Sequence, residues 1–258
     1  MKQRVLSGLG LIIIFILAIV ISSNIFALFM LTCGILGLKE LINIKLKDKK
    51  IDFVKIMCYL SLTFLILNGI FFKLETLFTL IFPILFIITP IIFYNDSNKY
   101  NLEDSLYLIG ITFFLGFAFN IIVYLRQLDI GICIYIFLVA CLTDTYAYIG
   151  GSLIGRHKLS KISPKKTIEG SLIGSIMGTI LASIYYITVI GGSILEIIII
   201  TFILTILSEI GDLVFSSIKR HFKIKDFSNL IPGHGGVLDR FDSIIYVALG
   251  YLLMLSIF

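Results

Sequence analysis

Charged side chains are scarce in this 258-residue chain: Asp, Glu, Lys and Arg together make up 14% of it, while 59% is hydrophobic and the mean hydropathy is +1.07. Soluble domains carry about 25% charge, so a water-soluble globule is excluded. Cysteine is scarce too. Cys33, Cys58, Cys133 and Cys141 all fall in apolar stretches with no Cys-x-x-Cys spacing, and read as small apolar residues of helical interiors. There is no internal repeat and no low-complexity linker. No small-x-small cleavage site follows the first apolar run, which is longer than the usual ~7–15-residue signal core, so that run reads as a retained span.

What is present is a succession of apolar stretches of nearly 20 residues, each long enough to cross a hydrocarbon core of roughly 30 Å. The chain is therefore expected to be an all-α, polytopic helical membrane protein. About nine transmembrane helices are expected, at 5–22, 25–43, 53–72, 75–94, 105–125, 128–150, 171–190, 193–216 and 241–258. Lys39 and Glu40 make the second the least clean. With the N-terminus inside, 19 of the 21 Lys and Arg fall in inside segments or at the inner ends of spans, leaving only Lys73 and Arg126 outside. Positive-inside asymmetry has that form, so the net charge of +5 is a topology signal and no sign of a nucleic-acid partner. The chain also divides by content: 1–125 holds N-terminal spans with short loops, and 126–258 holds the polar chemistry, including the inside loops 151–170 and 217–240.

A carboxylate at mid-membrane costs about 2.5–3.5 kcal/mol and is kept where it faces protein or water. Asp144, Glu209 and Asp212 lie in the inner parts of their spans. Glu209, Asp212 and Ser216 are spaced i, i+3, i+7, so they share one helical face, which Arg220 continues. Helix–helix pairing would explain one such residue, but a stripe that runs into a charged loop points to a site. The segment Ser163-Pro164-Lys165-Lys166-Thr167 brings hydroxyls, ammonium groups and a rigid turn to the start of a span, a setting suited to an anion. Between 216 and 243, Gly233, Gly235 and Gly236 allow a tight turn whose amides face an anion. Lys219, Arg220, Lys223, Lys225 and Arg240 can neutralise phosphate charge, and Asp239 and Asp242 offer hard oxygen ligands for Mg²⁺. His234 is open to three readings: phosphate binding, acid–base work or a hydrogen bond within the turn. Asp239 has the competing reading of an ordinary helix N-cap. Acids and bases clustered at one face fit a Mg²⁺–polyphosphate site better than a cation transporter, whose acids belong near the midplane. The residues by themselves thus point to a membrane enzyme handling phosphate esters at the cytoplasmic surface.

The pattern S-S-I-K-R-x4-K-D-x-S-x-x-I-P-x-H-G-G-V-x-D-R-F-D, from Ser216 to Asp242, resembles the signature of the phosphatidate cytidylyltransferases (CDP-diacylglycerol synthases). Ser208–Ser216, Ser163–Gly170 and Asp144-Thr145 with Ala147-Tyr148 are similar to that family as well. Tyr146 stands where glycine is more usual and Ile168 where tryptophan is common. The resemblance covers about 140–258. It implies a nucleotidyltransferase of phospholipid biosynthesis converting CTP and phosphatidate to CDP-diacylglycerol and pyrophosphate, working as a homodimer in the cell (inner) membrane. It implies Asp212 and Asp239 as ligands of Mg²⁺, with room for a second cation, and Asp144 and Glu209 in support. Ser216, Lys219 and Arg220 join the two aspartates as catalytic residues. Ser163, Lys165, Lys166, Thr167, Lys225, His234, Gly235, Gly236 and Arg240 fall to substrate binding. A CTP-using polyprenol kinase or archaeal-lipid cytidylyltransferase is the alternative within the same chemistry, and a transporter the alternative outside it.

Overall fold

The computed structural model describes residues 2–72, 75–94, 99–231, 233 and 235–255, without the side chains of 2–9, 11, 12 and 76. Runs of Leu, Ile and Phe in lipid must satisfy every backbone group internally, which only helices or closed barrels can do. The described residues accordingly form nine α-helices and no strand, with isolated bridges only. The helices are α1 (Lys2–Ile21), α2 (Ser23–Leu46), α3 (Asp52–Leu67), α4 (Thr76–Ile88), α5 (Leu102–Leu128), α6 (Ile130–Ile154), α7 (Ile168–Val189), α8 (Ile194–His221) and α9 (Leu238–Leu255), with a 3-10 turn at Thr89–Ile92.

Each expected span overlaps one of these helices, but the helices are not equivalent. Among the described residues α2, α5, α6, α7 and α8 are long and apolar enough to cross a membrane. The chain is a multi-pass membrane protein. The expected 75–94 span is interrupted: Pro83 lies inside α4, and Pro90 opens the 3-10 turn that follows it. Two of the breaks, between α1 and α2 and between α5 and α6, are single residues with capping side chains. Ser22 is extended and accepts the Ile25 N–H at 3.2 Å. Asp129 accepts the Gly131 N–H at 2.6 Å. Such caps satisfy donors that the first helical turn leaves orphaned.

The chain packs as two compact units. The first comprises Met1–Val123 and Phe227–Leu238. In it, Gly34 lies so close to α3 that a Cβ would meet Ile66 at 2.7 Å, and Gly37 meets Leu238 at 2.8 Å. Asn120 of α5 donates to the Ile66 carbonyl at 3.1 Å, filling an acceptor left open at the end of α3. Asp104, at the start of α5, is buried against Lys49 and Lys45.

The second unit comprises Tyr124–Asp226 and Asp239–Phe258. Its closest pair is α6 and α7. A Cβ at Gly170 would lie 2.5 Å from the Ala147 carbonyl oxygen, and one at Gly174 would lie 2.7 Å from that of Thr143. The two backbones therefore touch, which is the usual means of helix association where lipid removes the hydrophobic drive. Gly211 does the same for α8 against the Asp242 carbonyl of α9. Large side chains such as Leu153, Leu172, Ile184, Ile194 and Leu195 point outward and stay exposed, as a lipid-facing surface requires.

Candidate active site

The second unit holds a cavity of about 400 Å³ lined by four helices and one loop. α6 supplies Asp144, Tyr148 and Ser152, α7 supplies Ser171, α8 supplies Glu209 and Asp212, and α9 supplies Asp239 and Asp242. The loop before α7 supplies Lys165, Lys166 and Thr167.

That loop is held in shape by its own backbone. The Leu159 N–H donates to the Lys166 carbonyl at 2.9 Å, and the Ile168 N–H donates to the His157 carbonyl at 2.9 Å. Thr167 is the N-cap of α7, its hydroxyl oxygen accepting the Gly170 N–H at 3.1 Å. Glu169, in the first turn of α7, accepts the backbone N–H of Arg156 at 3.1 Å and of His157 at 3.2 Å, and lies 2.6 Å from His157 Nδ1. The loop is thus tied to the helix start, and Lys165 and Lys166 emerge from a fixed frame.

The charges inside are paired across elements. Lys166 Nζ lies 2.5 Å from Asp212 and 3.9 Å from Asp144, so one ammonium joins loop, α8 and α6. Burial alone would lower the Lys166 pKa, but Asp212 and Asp144 outweigh it and hold it above the usual lysine value. Lys219 donates to Asp239 at 2.7 Å, both residues being buried. Ser216 donates to Asp212 at 3.5 Å, one turn along α8. Ser243 donates to Asp144 at 3.2 Å. Glu209 is buried between hydroxyls from α7, accepting from Ser171 and, at 3.4 Å, from Ser175.

The sequence-predicted residues are placed in three groups. Asp144, Lys165, Lys166, Thr167, Glu209, Asp212 and Asp239 line the one cavity, together with Asp242, and Lys219 and Ser216 reach it through Asp239 and Asp212. Other residues are engaged beside it: Arg220 donates to the carbonyl of Ile224 at 3.0 Å and of Ile162 at 3.5 Å, and the Ser163 carbonyl accepts the Lys166 N–H at 3.1 Å. Lys225 and Arg240 are exposed. Gly235 and Gly236 belong to the first unit. There Gly235 has φ +82° and its carbonyl accepts the Ile231 N–H at 2.9 Å, a turn that needs the left-handed freedom of glycine. His234 lies outside the described residues. Ser171, Ser175, Ser243 and Glu169 were missed by sequence reasoning. The i, i+4 spacing of Ser171 and Ser175 was the available signal for the first two.

Five carboxylates against two ammonium groups line the cavity. Among the described residues no three His, Cys, Asp or Glu side chains converge closely enough to hold a metal unaided. Mg²⁺ seldom asks for that: it is bound by one or two carboxylates and completes its shell with water and substrate phosphates. The hard-oxygen donors present, in excess of the cations, suit such an ion.

The model of the cytidylyltransferase family matches residues 2–258. The phosphatidate cytidylyltransferase of Bacillus subtilis is 30% identical over 269 aligned residues, covering 100% of this chain and 98% of its own. That of Staphylococcus haemolyticus is 34% identical over 257 residues, covering 96% of each chain. That of Staphylococcus aureus is 31% identical over 256 residues, again covering 96% of each.

Proposed function

Because the chain belongs to the cytidylyltransferase family, and is therefore a nucleotidyltransferase, we propose that it transfers the cytidylyl group of CTP to phosphatidate, giving CDP-diacylglycerol and pyrophosphate. The observation that carries this reading is the cavity lined by α6, α7, α8 and α9, where five carboxylates meet Lys165 and Lys166. A polyanionic substrate needs cations, and an acid-rich lining needs a metal ion between itself and phosphate.

In this reading a phosphate oxygen of phosphatidate attacks the α-phosphorus of CTP in line. A P–O bond forms there, and the bond from the α-phosphorus to the bridging oxygen breaks, that oxygen leaving with the electron pair on pyrophosphate. Such transfers need positioning and charge neutralisation more than covalent help. Lys165 and Lys166 face the triphosphate from the loop, and Lys166 exchanges its contact with Asp212 for one with phosphate. Lys219 holds Asp239 until substrate arrives. The hydroxyls of Thr167 and Ser216 donate to phosphate oxygens, with Ser163, Arg220, Lys225 and Arg240 assisting. Asp212 and Asp239, supported by Asp144 and Glu209, are the residues that would hold Mg²⁺, which when bound neutralises charge on the reacting phosphates.

The lipid comes laterally from the inner leaflet, and the site opens on the cytoplasmic face of the cell membrane. The 19-to-2 division of basic residues supports that orientation. We assign the working form as a homodimer, checked by cross-linking in the membrane. Purified protein given phosphatidate, Mg²⁺ and CTP labelled in the cytosine should place label on lipid. Labelled CDP with an unlabelled phosphorylated lipid would instead identify a CTP-dependent lipid kinase. Absence of CTP turnover would overturn the reading.

A further inference from the structure

Glu40 is a carboxylate for which the chemistry above has no use, yet it is only 5% exposed near the end of α2. Among the described residues its hydrogen-bond partners come from the segment Phe227–Leu238. Oε1 accepts the Ser228 hydroxyl at 2.6 Å and the Val237 N–H at 2.8 Å, and Oε2 accepts the Leu238 N–H at 3.0 Å. Gly236 packs so tightly on the same carboxylate that a Cβ there would collide with it. Carboxylate and segment both belong to the first unit.

The connectivity gives this contact its meaning. The chain leaves the second unit after Asp226, spends Phe227–Leu238 in the first, and returns at Asp239. Leu238 is also the first residue of α9. The N–H groups at a helix start have no acceptor within the helix, and a negative charge is favoured there. Glu40 thus caps α9 from another helix, at the residue joined by one peptide bond to Asp239. A buried glutamate is costly unless satisfied, and among the described residues three neutral donors satisfy it. The cost is met at the return leg of the loop, so that leg is the segment the carboxylate defines.

We propose that Glu40 is a positioning residue for nucleotidyl transfer. Its carboxylate fixes Gly236–Leu238 and thereby the direction in which Asp239 leaves the turn. This gives the first unit a part in the reaction without any substrate contact of its own. Only the activity half of the test rests on the function proposed above.

Glu40→Gln keeps the size of the side chain but sets an amide N–H₂ against one of its donors. In the full-length protein, hydrogen exchange should accelerate at Val237 and Leu238 and stay unchanged in α3 and α5. The kcat should fall about tenfold or more, with KM for phosphatidate within about twofold of the parent, because binding groups are untouched. Ser228→Ala removes one donor on the same carboxylate and should act in the same direction, more weakly. The double variant should lose less than the product of the two. If Glu40→Gln fails to fold, Ser228→Ala carries both measurements alone. Unchanged exchange at 237–238, or turnover per folded molecule within about twofold of the parent, overturns the proposal. A parent that exchanges slowly at these amides but makes no CDP-lipid would overturn the proposed reaction and leave the contact standing.

Discussion

Asp212 and Glu196 share α8 but have opposite surroundings. Glu196 is exposed in the first turn, 16 residues and about 24 Å along the axis from Asp212. Asp212 lines the cavity and holds Lys166 at 2.5 Å. Asparagine in its place keeps the shape, loses the charge, and leaves the half-buried Lys166 without its nearest counter-ion. Asp212→Asn should therefore abolish CDP-lipid formation by inserted, folded protein, whereas Glu196→Gln should stay within about threefold of the parent. Both are measured in one Mg²⁺-titrated product assay. Substantial turnover by Asp212→Asn would remove it from the site. Acids of this kind were legible in the sequence because charge inside an apolar run is conspicuous. Glu40 was not: it read as a blemish at a span end, and its partner Ser228 is 188 positions away. No local spacing rule spans that distance. The hydroxyls on Glu209 were missed because serine in a membrane helix is ordinary.

Hydropathy located the helices well and their ends poorly. α6 runs on to Ile154 and α8 to His221, past the expected 150 and 216, because a helix need not stop where its apolar residues do. The extension of α8 is what carries Lys219 to Asp239. It ends with Lys223 at φ 57°, the Ile224 N–H donating to the Lys219 carbonyl at 2.9 Å and the Lys223 N–H to that of Arg220 at 3.0 Å. These are the two bonds of a Schellman cap, in which the left-handed residue is usually glycine. Lys223→Gly should accordingly raise thermal stability by about 1 kcal/mol. A lowered melting temperature in detergent would show that the lysine side chain contributes more than its backbone costs. The α6–α7 seam makes the opposite case. Gly174→Leu would drive a side chain into the Thr143 carbonyl and should cost about 1–3 kcal/mol or more. Gly110→Ala in α5, where a Cβ meets nothing within 4 Å, should be neutral or stabilising by up to about 1 kcal/mol. Equal effects in thermal unfolding would mean that close backbone approach is not what holds α6 to α7.

For the molecule as a whole, the orientation in the membrane decides which compartment supplies the nucleotide. The second unit offers a ruler for it. Gln127 precedes the Asp129 cap of α6 and is exposed, while Lys161 is exposed on the loop beyond its other end. The helix between, Ile130–Ile154, has 25 residues and is about 37 Å long, more than the roughly 30 Å of hydrocarbon. The two positions must then face opposite sides. Five basic residues, Arg156, Lys158, Lys161, Lys165 and Lys166, cluster at the Lys161 end, and each would resist translocation. Single cysteines at the two positions test this once the native ones are replaced. Cys141 in particular must go, because it is exposed while Cys33, Cys58 and Cys133 are buried. In intact cells an impermeant maleimide should label Gln127→Cys and spare Lys161→Cys until the membrane is opened. Ready labelling of Lys161→Cys from outside would put Lys165, Lys166 and the cavity they line on the face away from cytoplasmic CTP, and the proposed reaction could not proceed there.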